Sequence, residues 1–309
     1  MSIFVQLPPA DYSRTAFDQF RPLRAGFDLD DARAMMWMSQ LAYETDSPQT
    51  IAEIAPLWDF KPIEFVRAGA RQIDSRAIIG ERADCIVVAF AGSDPALSKN
   101  LMTDVDCRLT PNDTHEGFQT AIDAAWPHIE MKITALVEAR ARPIFFAGHS
   151  LGAALAVLAA DKAKDGSLCP AGIYTFGMPR AGGRLFKTRY NRVLGDCTYR
   201  LVYGGDTVSC MPDSIKVLGI HTEFQHVGRL LTCKSGGKFD RATPLSEKKS
   251  NDPRFADGLR DNLRNTMRSL LAGRIFAPTG PGALGRLCAL LPFGIRDHLP
   301  GRYLKALEP

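Results

Sequence analysis

Several things are scarce in this chain, and each scarcity excludes something. No apolar run approaches the ~20 residues that a membrane-spanning helix needs, so no transmembrane segment is expected. Charge of one sign is also lacking: 38 Lys and Arg against 34 Asp and Glu leave a formal +4. That is far from the concentrated basic stripe of a nucleic-acid binder, although it can favour approach to an anionic interface. Metal-ligand spacing is missing among the seven cysteines, Cys85, Cys107, Cys169, Cys197, Cys210, Cys233 and Cys288. Their number is odd, and reduced thiols without a metal are the simplest expectation. The opening MSIFVQLPPADYSRTAF has no basic stretch leading into an apolar core and a small-residue cleavage site, so a cytoplasmic protein is expected. Internal repeats and low-complexity tracts are absent too. What remains, at 309 residues with 45% hydrophobic and 23% charged, is a globular chain of one α/β domain, residues 1–309.

The most informative stretch is residues 145–156, FFAGHSLGAALA. An apolar run ends in Gly148-His149-Ser150-Leu151-Gly152 and passes directly into an Ala/Leu-rich segment, so a buried strand turns sharply into a helix with Ser150 at the corner. Two backbones pass close together at such a corner, which is why Gly148 and Gly152 carry no Cβ there. The pattern is that of the nucleophile elbow of α/β-hydrolases. It exposes the Ser150 hydroxyl and aims the Leu151 N–H, at the positive end of the new helix, toward an oxyanion forming on a carbonyl.

The flanking text supplies the rest of such a sheet. Residues 28–46 open with acidic caps and place Ala32, Met35, Met36, Met38 and Leu41 at helical spacings, predicting an amphipathic helix with core methionines. Residues 63–90 read as strands, with 85–90 central, and residues 173–176 and 198–203 as two more. Ser93 follows the central strand after a Gly turn, at the end where open α/β sheets bind ligands, and is the candidate second oxyanion donor. A long helical pattern over 117–140 is expected to break or kink at Pro127. Residues 216–233 look hairpin-like and 234–253 form a polar loop. In 255–271, Phe255, Leu259, Leu263, Met267 and Leu271 fall four apart beside Arg260, Arg264 and Arg268, an amphipathic helix. The alternation predicts a mostly parallel sheet flanked by helices.

A serine hydroxyl is a weak nucleophile and needs a base oriented by a carboxylate. In this fold the chain order is Ser, acid, His. Asp206 follows an apolar strand and two glycines, which favours it over Asp196, placed before that strand, and over Asp213. Three histidines come after it: His221 and His226 in strand-like text, and His298 in a loop-like RDHLPG. His298 is the leading candidate, with His226 as alternative; His149 is read as packing or orienting the elbow.

The succession Phe90-Ala91-Gly92-Ser93, His115-Glu116-Gly117-Phe118, the elbow, Phe176-Gly177-Met178-Pro179-Arg180-Ala181-Gly182 and Asp206-Thr207-Val208 resembles the class 3, fungal-type, lipases. The resemblance runs through residues 85–228. It implies an esterase or lipase acting on neutral carboxylic esters such as acylglycerols, with no cofactor; no obligate protein partner is evident in the sequence. Carried over, Ser150 is the nucleophile, Asp206 the acid, Ser93 and Leu151 the oxyanion donors and Asp297-His298 the base motif, which disfavours His226. It also makes residues 94–108 a lid candidate that could touch a lipid surface. Departures are present: Ala91 stands where the family has Arg, Ser209 where Pro often follows the acid, and Tyr303 lies further beyond His298 than the family tyrosine. The chain between acid and base is long, implying an inserted helical segment over 234–290. A non-catalytic member of the fold, or an acyltransferase, is the alternative.

Overall fold

The computed structural model describes residues 5–70, 73–93, 108–212, 215–217, 220–241 and 293–309. Seven strands form its main sheet: β1 (Glu64–Ala70), β2 (Ile73–Glu81), β3 (Ile86–Phe90), β4 (Ile144–His149), β5 (Gly172–Phe176), β6 (Thr198–Tyr203) and β9 (Arg229–Cys233). Their spatial order follows the chain. β1, β2 and β3 pair antiparallel, and β3, β4, β5, β6 and β9 run parallel. A separate hairpin, β7 (Ile215–Val217) with β8 (Ile220–Thr222), stands apart. The hairpin-like text thus divides into a real hairpin and a parallel edge strand.

The continuous apolar run of β3 is explained by burial on both faces, because successive side chains of a strand alternate. Ile86, Val88 and Phe90 face the helices Glu116–Ala139, Leu151–Ala163 and Arg184–Leu194. Val87 and Ala89 face the opposite cover, made by helix Leu29–Leu41, residues 5–20 and helix Pro300–Leu307. Each large apolar side chain buried this way contributes about 1.5–3 kcal/mol.

Two elements differ from their sequence reading. Helix Leu29–Leu41 is capped by Asp28, whose carboxylate accepts from the Asp30 N–H at 2.8 Å, but it is buried nearly all round rather than on one face. Met35, Met36 and Met38 are buried in the cluster that the helix shares with the sheet, and residues 5–20 cover the helix as well: Tyr12 packs on Trp37, and Gln40 Nε2 donates to Val5 O at 2.5 Å. Pro127 does not end its helix, which runs unbroken from Glu116 to Ala139. Pro127 lies on the exposed side, so the carbonyl it leaves without an intrahelical donor can meet water, while Ala125, Trp126 and Ile129 stay buried.

Most of the lid candidate (94–107), most of the expected insertion (242–290), the helix over 255–271 and Asp213 lie outside the described residues, as does the side chain of His221. No helix among the described residues is long and apolar enough to cross a membrane.

Candidate active site

β4 ends at His149 and the helix Leu151–Ala163 begins one residue after Ser150. Ser150 sits between them at φ 60° and ψ −131°, a conformation that costs a non-glycine residue on the order of 1–3 kcal/mol. The packing that enforces it is visible at the two glycines. A Cβ on Gly148 would stand 2.2 Å from Gly152 O, and one on Gly152 would stand 2.3 Å from Phe90 O. The Ser150 N–H is anchored on Phe176 O at 2.9 Å. Leu151 opens the helix, so its N–H is one of the first-turn donors without an intrahelical acceptor.

Three of the expected residues meet here. His298 Nε2 lies 2.7 Å from Ser150 Oγ, and His298 Nδ1 lies 2.8 Å from Asp206 Oδ2. A carboxylate only accepts, so Nδ1 carries the proton and Nε2 is free to accept from the serine. Exposure falls from Ser150 (8%) through His298 (6%) to Asp206 (0%), so only the nucleophile end approaches solvent. Burial alone would raise the Asp206 pKa. The charge of His298 and the hydrogen bonds from His298 and Tyr303 outweigh it and hold the carboxyl below the ordinary aspartate range.

The acid is held by its own turn and by helix Pro300–Leu307. Val208 N and Ser209 N donate to Asp206 Oδ1 at 2.9 and 3.3 Å, and Ser209 Oγ donates to Asp206 O at 2.7 Å. A proline at position 209 could make neither Ser209 contact, so this departure from the family pattern adds support. Tyr303 Oη donates to Asp206 Oδ2 at 2.5 Å and accepts from Tyr203 N at 3.2 Å. The longer spacing from His298 is bridged because helix Phe293–His298 stops, Leu299 takes an extended conformation, and the next helix turns Tyr303 back under the acid. Asp297 is 3% exposed and ties the base to the acid turn, its Oδ2 accepting from Gly205 N at 2.9 Å and from Ser235 Oγ.

The oxyanion loop lies against the nucleophile: a Cβ on Gly92 would be 2.8 Å from Ser150 Cβ, and Ser93 follows, half-buried. Ala91, where the family has Arg, is 3% exposed, and a guanidinium reaches this loop from β2 instead. Arg76 Nη2 is 3.5 Å from Gly92 O and its Nη1 3.1 Å from Asp46 Oδ2.

The rival candidates lie elsewhere. Asp196 is exposed in the turn before β6. His226 donates from Nε2 to Ser209 O at 2.6 Å; burial, then the charges of Arg200 and Arg180, push its pKa well below the ordinary histidine value. It therefore buttresses the acid turn as a neutral ring. His149 and Tyr43 also enter the site, the former expected to pack or orient the elbow and the latter not singled out by the sequence. Among the described residues no group of His, Cys, Asp or Glu is arranged to hold a metal ion.

A mostly parallel sheet flanked by helices, with a strained serine at a strand-to-helix corner bonded to a histidine and a buried aspartate, defines an α/β-hydrolase fold carrying a serine-hydrolase constellation. Residues 87–215 match the model of the class 3 lipases, "Lipase (class 3)". Over that stretch, 129 of the 309 residues, the chain is similar to that family.

Among its relatives, "Lipase ZK262.3" of Caenorhabditis elegans is 25% identical over 224 residues, covering 66% of this chain and 61% of the relative. "Secreted mono- and diacylglycerol lipase MDL3" of Malassezia globosa is 27% identical over 237 residues, covering 69% and 74%. "Secreted mono- and diacylglycerol lipase 1" of Fusarium solani is 38% identical over 102 residues, covering 31% and 30%. The chain thus spans about three fifths of the nematode relative and three quarters of the Malassezia one. The crystal structure of a lipase from Rhizopus microsporus var. chinensis superposes with a TM-score of 0.58 at 18% identity, covering 82% of this chain and 91% of the other, a likeness of fold. The secreted relatives overturn the expectation of a cytoplasmic location.

Proposed function

We propose that this chain is a serine carboxylic-ester hydrolase that cleaves acylglycerol-type or other neutral esters through an acyl-enzyme. One observation carries the reading: an unbroken line of short hydrogen bonds from Ser150 Oγ through His298 to a buried Asp206. In this reading Ser150 attacks the ester carbonyl, and His298 takes its proton and returns it to the leaving alcohol. Asp206 stays ionised, holds the His298 tautomer and stabilises the imidazolium. The N–H groups of Leu151 and Ser93 stabilise the tetrahedral oxyanion. Water then repeats the cycle on the acyl-Ser150 ester and releases the acid.

The relatives named mono- and diacylglycerol lipases support acylglycerols as the substrate class and extracellular action. Packing of residues 5–20 and of helix Pro300–Leu307 into one apolar cluster supports reading the chain as a single domain. Residues 94–108 are read as the lid and 234–290 as an insertion before the base, with transient contact at a lipid surface.

A fluorophosphonate probe tests the reading. Wild type should be labelled at Ser150, and Ser150→Ala should not. An unlabelled wild type, or an equally labelled Ser150→Ala, would reduce the chain to a non-catalytic member of its fold.

A further inference from the structure

The base itself has a weak foundation. His298 is the last residue of a six-residue helix, Phe293–His298, so its carbonyl has no partner within that helix. Both of its ring nitrogens are committed to Ser150 and Asp206. The nucleophile, by contrast, follows directly on central strand β4, and its N–H is held by Phe176 O. Something must fix the main chain of His298 if its ring is to stay within bonding distance of Ser150.

A second histidine occupies that place. His149, the residue before the nucleophile, is 1% exposed, and its Nε2 lies 2.7 Å from the backbone oxygen of His298. Since a carbonyl can only accept, Nε2 carries the hydrogen, and Nδ1 must accept from the Tyr43 hydroxyl, 2.7 Å away. The His149 and His298 rings lie together at 4.7 Å and 30°, with the Tyr303 ring edge-on to His149 at 5.6 Å. Burial, then the neighbouring His298, pushes the His149 pKa down to about 3, so it keeps this neutral tautomer at physiological pH. Tyr43 is fixed in turn. Gln6 Nε2 donates to its carbonyl at 3.4 Å, and on the next residue Glu44 Oε1 accepts from Leu7 N at 2.9 Å and Tyr12 Oη at 3.1 Å.

From this geometry we infer that Tyr43 and His149 are positioning residues for the base: a hydroxyl-to-imidazole-to-carbonyl brace that sets the main chain of His298, and through it the distance from its Nε2 to Ser150. The brace acts through His298 and needs no contact with substrate. Errors of about 1 Å in such a reacting pair can cost on the order of a hundredfold in rate, which is why a brace this far from the bond being broken matters. The inference rests on the hydrolase reading of the triad.

His149→Phe keeps an aromatic ring but removes both hydrogen bonds. His149→Gln can keep both, its amide N–H meeting His298 O and its Oε1 meeting the Tyr43 hydroxyl. Tyr43→Phe removes only one hydroxyl. In the purified full chain, with folding followed by circular dichroism, the readouts are the rate of fluorophosphonate labelling and kcat and KM on a soluble short-chain ester. His149→Phe should lower labelling rate and kcat by about 10- to 100-fold with little change in KM. His149→Gln should recover most of that loss, and Tyr43→Phe should be slowed by a few-fold while staying folded. A folded His149→Phe labelled as fast as wild type, or a His149→Gln as impaired as His149→Phe, overturns the brace. If His149→Phe does not fold, Tyr43→Phe decides, and an unchanged labelling rate there overturns it equally. An unlabelled wild type would sink the hydrolase reading and the brace with it, whereas a labelled wild type beside unaffected variants sinks the brace alone.

Discussion

The two faces of the central sheet hold their shares of the site by different means. On the face under Glu116–Ala139 and Leu151–Ala163 a large apolar cluster packs the helices on the sheet, and the nucleophile helix is fixed by lack of room. On the other face Asp31, Ser39, Gln40 and Glu44 are buried among the hydrophobic residues, and helix Pro300–Leu307 brings Tyr303 to the acid. There, position depends on directional bonds between segments far apart in the chain. Shape on one side and hydrogen bonds on the other should fail differently: the first by loss of the fold, the second by loss of rate in a folded protein.

The sharpest break is Gly148→Ala. Its Cβ would meet the backbone oxygen of Gly152 at 2.2 Å, and neither strand nor helix can move without disturbing the sheet. A loss of about 4 kcal/mol or more is expected, seen as collapse of the melting temperature or of soluble yield. A Gly148→Ala protein that melts like wild type would show that the elbow is not fixed by clearance.

His298→Ala comes next and should separate rate from stability. A fall in kcat of at least about a thousandfold is expected, with a near-native melting temperature. His226→Ala should do the reverse, losing about 1–3 kcal/mol of stability because it removes the donor to Ser209 O. Reversal of the two patterns would exchange their roles.

Tyr303→Phe removes one hydroxyl from the acid and leaves the packing volume intact. Asp206 Oδ2 keeps its bond to His298 but loses a donor at 2.5 Å, so kcat should drop about tenfold with KM unchanged. The Tyr303 pKa is raised well above the ordinary tyrosine value, chiefly by burial and then by Asp206, so the hydroxyl remains a donor in any assay buffer.

The mildest effect is on pH dependence. Burial, opposed by the Arg21 N–H and the Arg24 charge, raises the Asp31 carboxyl from 3.8 to about 6. A folded-state pKa above the unfolded one gives stability that is complete below about 3.8 and lost as pH rises to about 6. Melting temperatures of wild type minus Asp31→Asn should therefore decline across that window by a few degrees, roughly. A flat difference would mean that Asp31 does not feel its burial.

How far this was legible in the sequence follows the same division. Features set by local clearance and alternation can be read directly: GHSLG demands the elbow, the run CIVVAF demands a strand buried on both sides, and two glycines after β6 mark the turn that carries Asp206. Features set by bonds between distant segments leave no local trace. Tyr43 and His149 are 106 positions apart, and Tyr303 and Asp206 are 97 apart. Helix Leu29–Leu41 read as amphipathic because Asp30, Asp31, Ser39 and Gln40 suggest a wet side. That side is covered by residues 5–21, whose backbone satisfies both polar groups: Gln40 donates to Val5 O, and Asp31 accepts from Arg21 N. Pro127 read as a break because its position on the exposed side of the helix depends on which face the sheet takes.

The backbone angles of Ser150 have a consequence for how this molecule can change over time. Glycine would occupy φ 60° and ψ −131° without steric penalty, so Ser150→Gly, which discards the nucleophile, should melt higher than the active protein. Selection for durability alone would then erode the catalytic serine. Its presence in a strained corner is a trade of robustness for chemistry, renewed in each generation that needs the reaction.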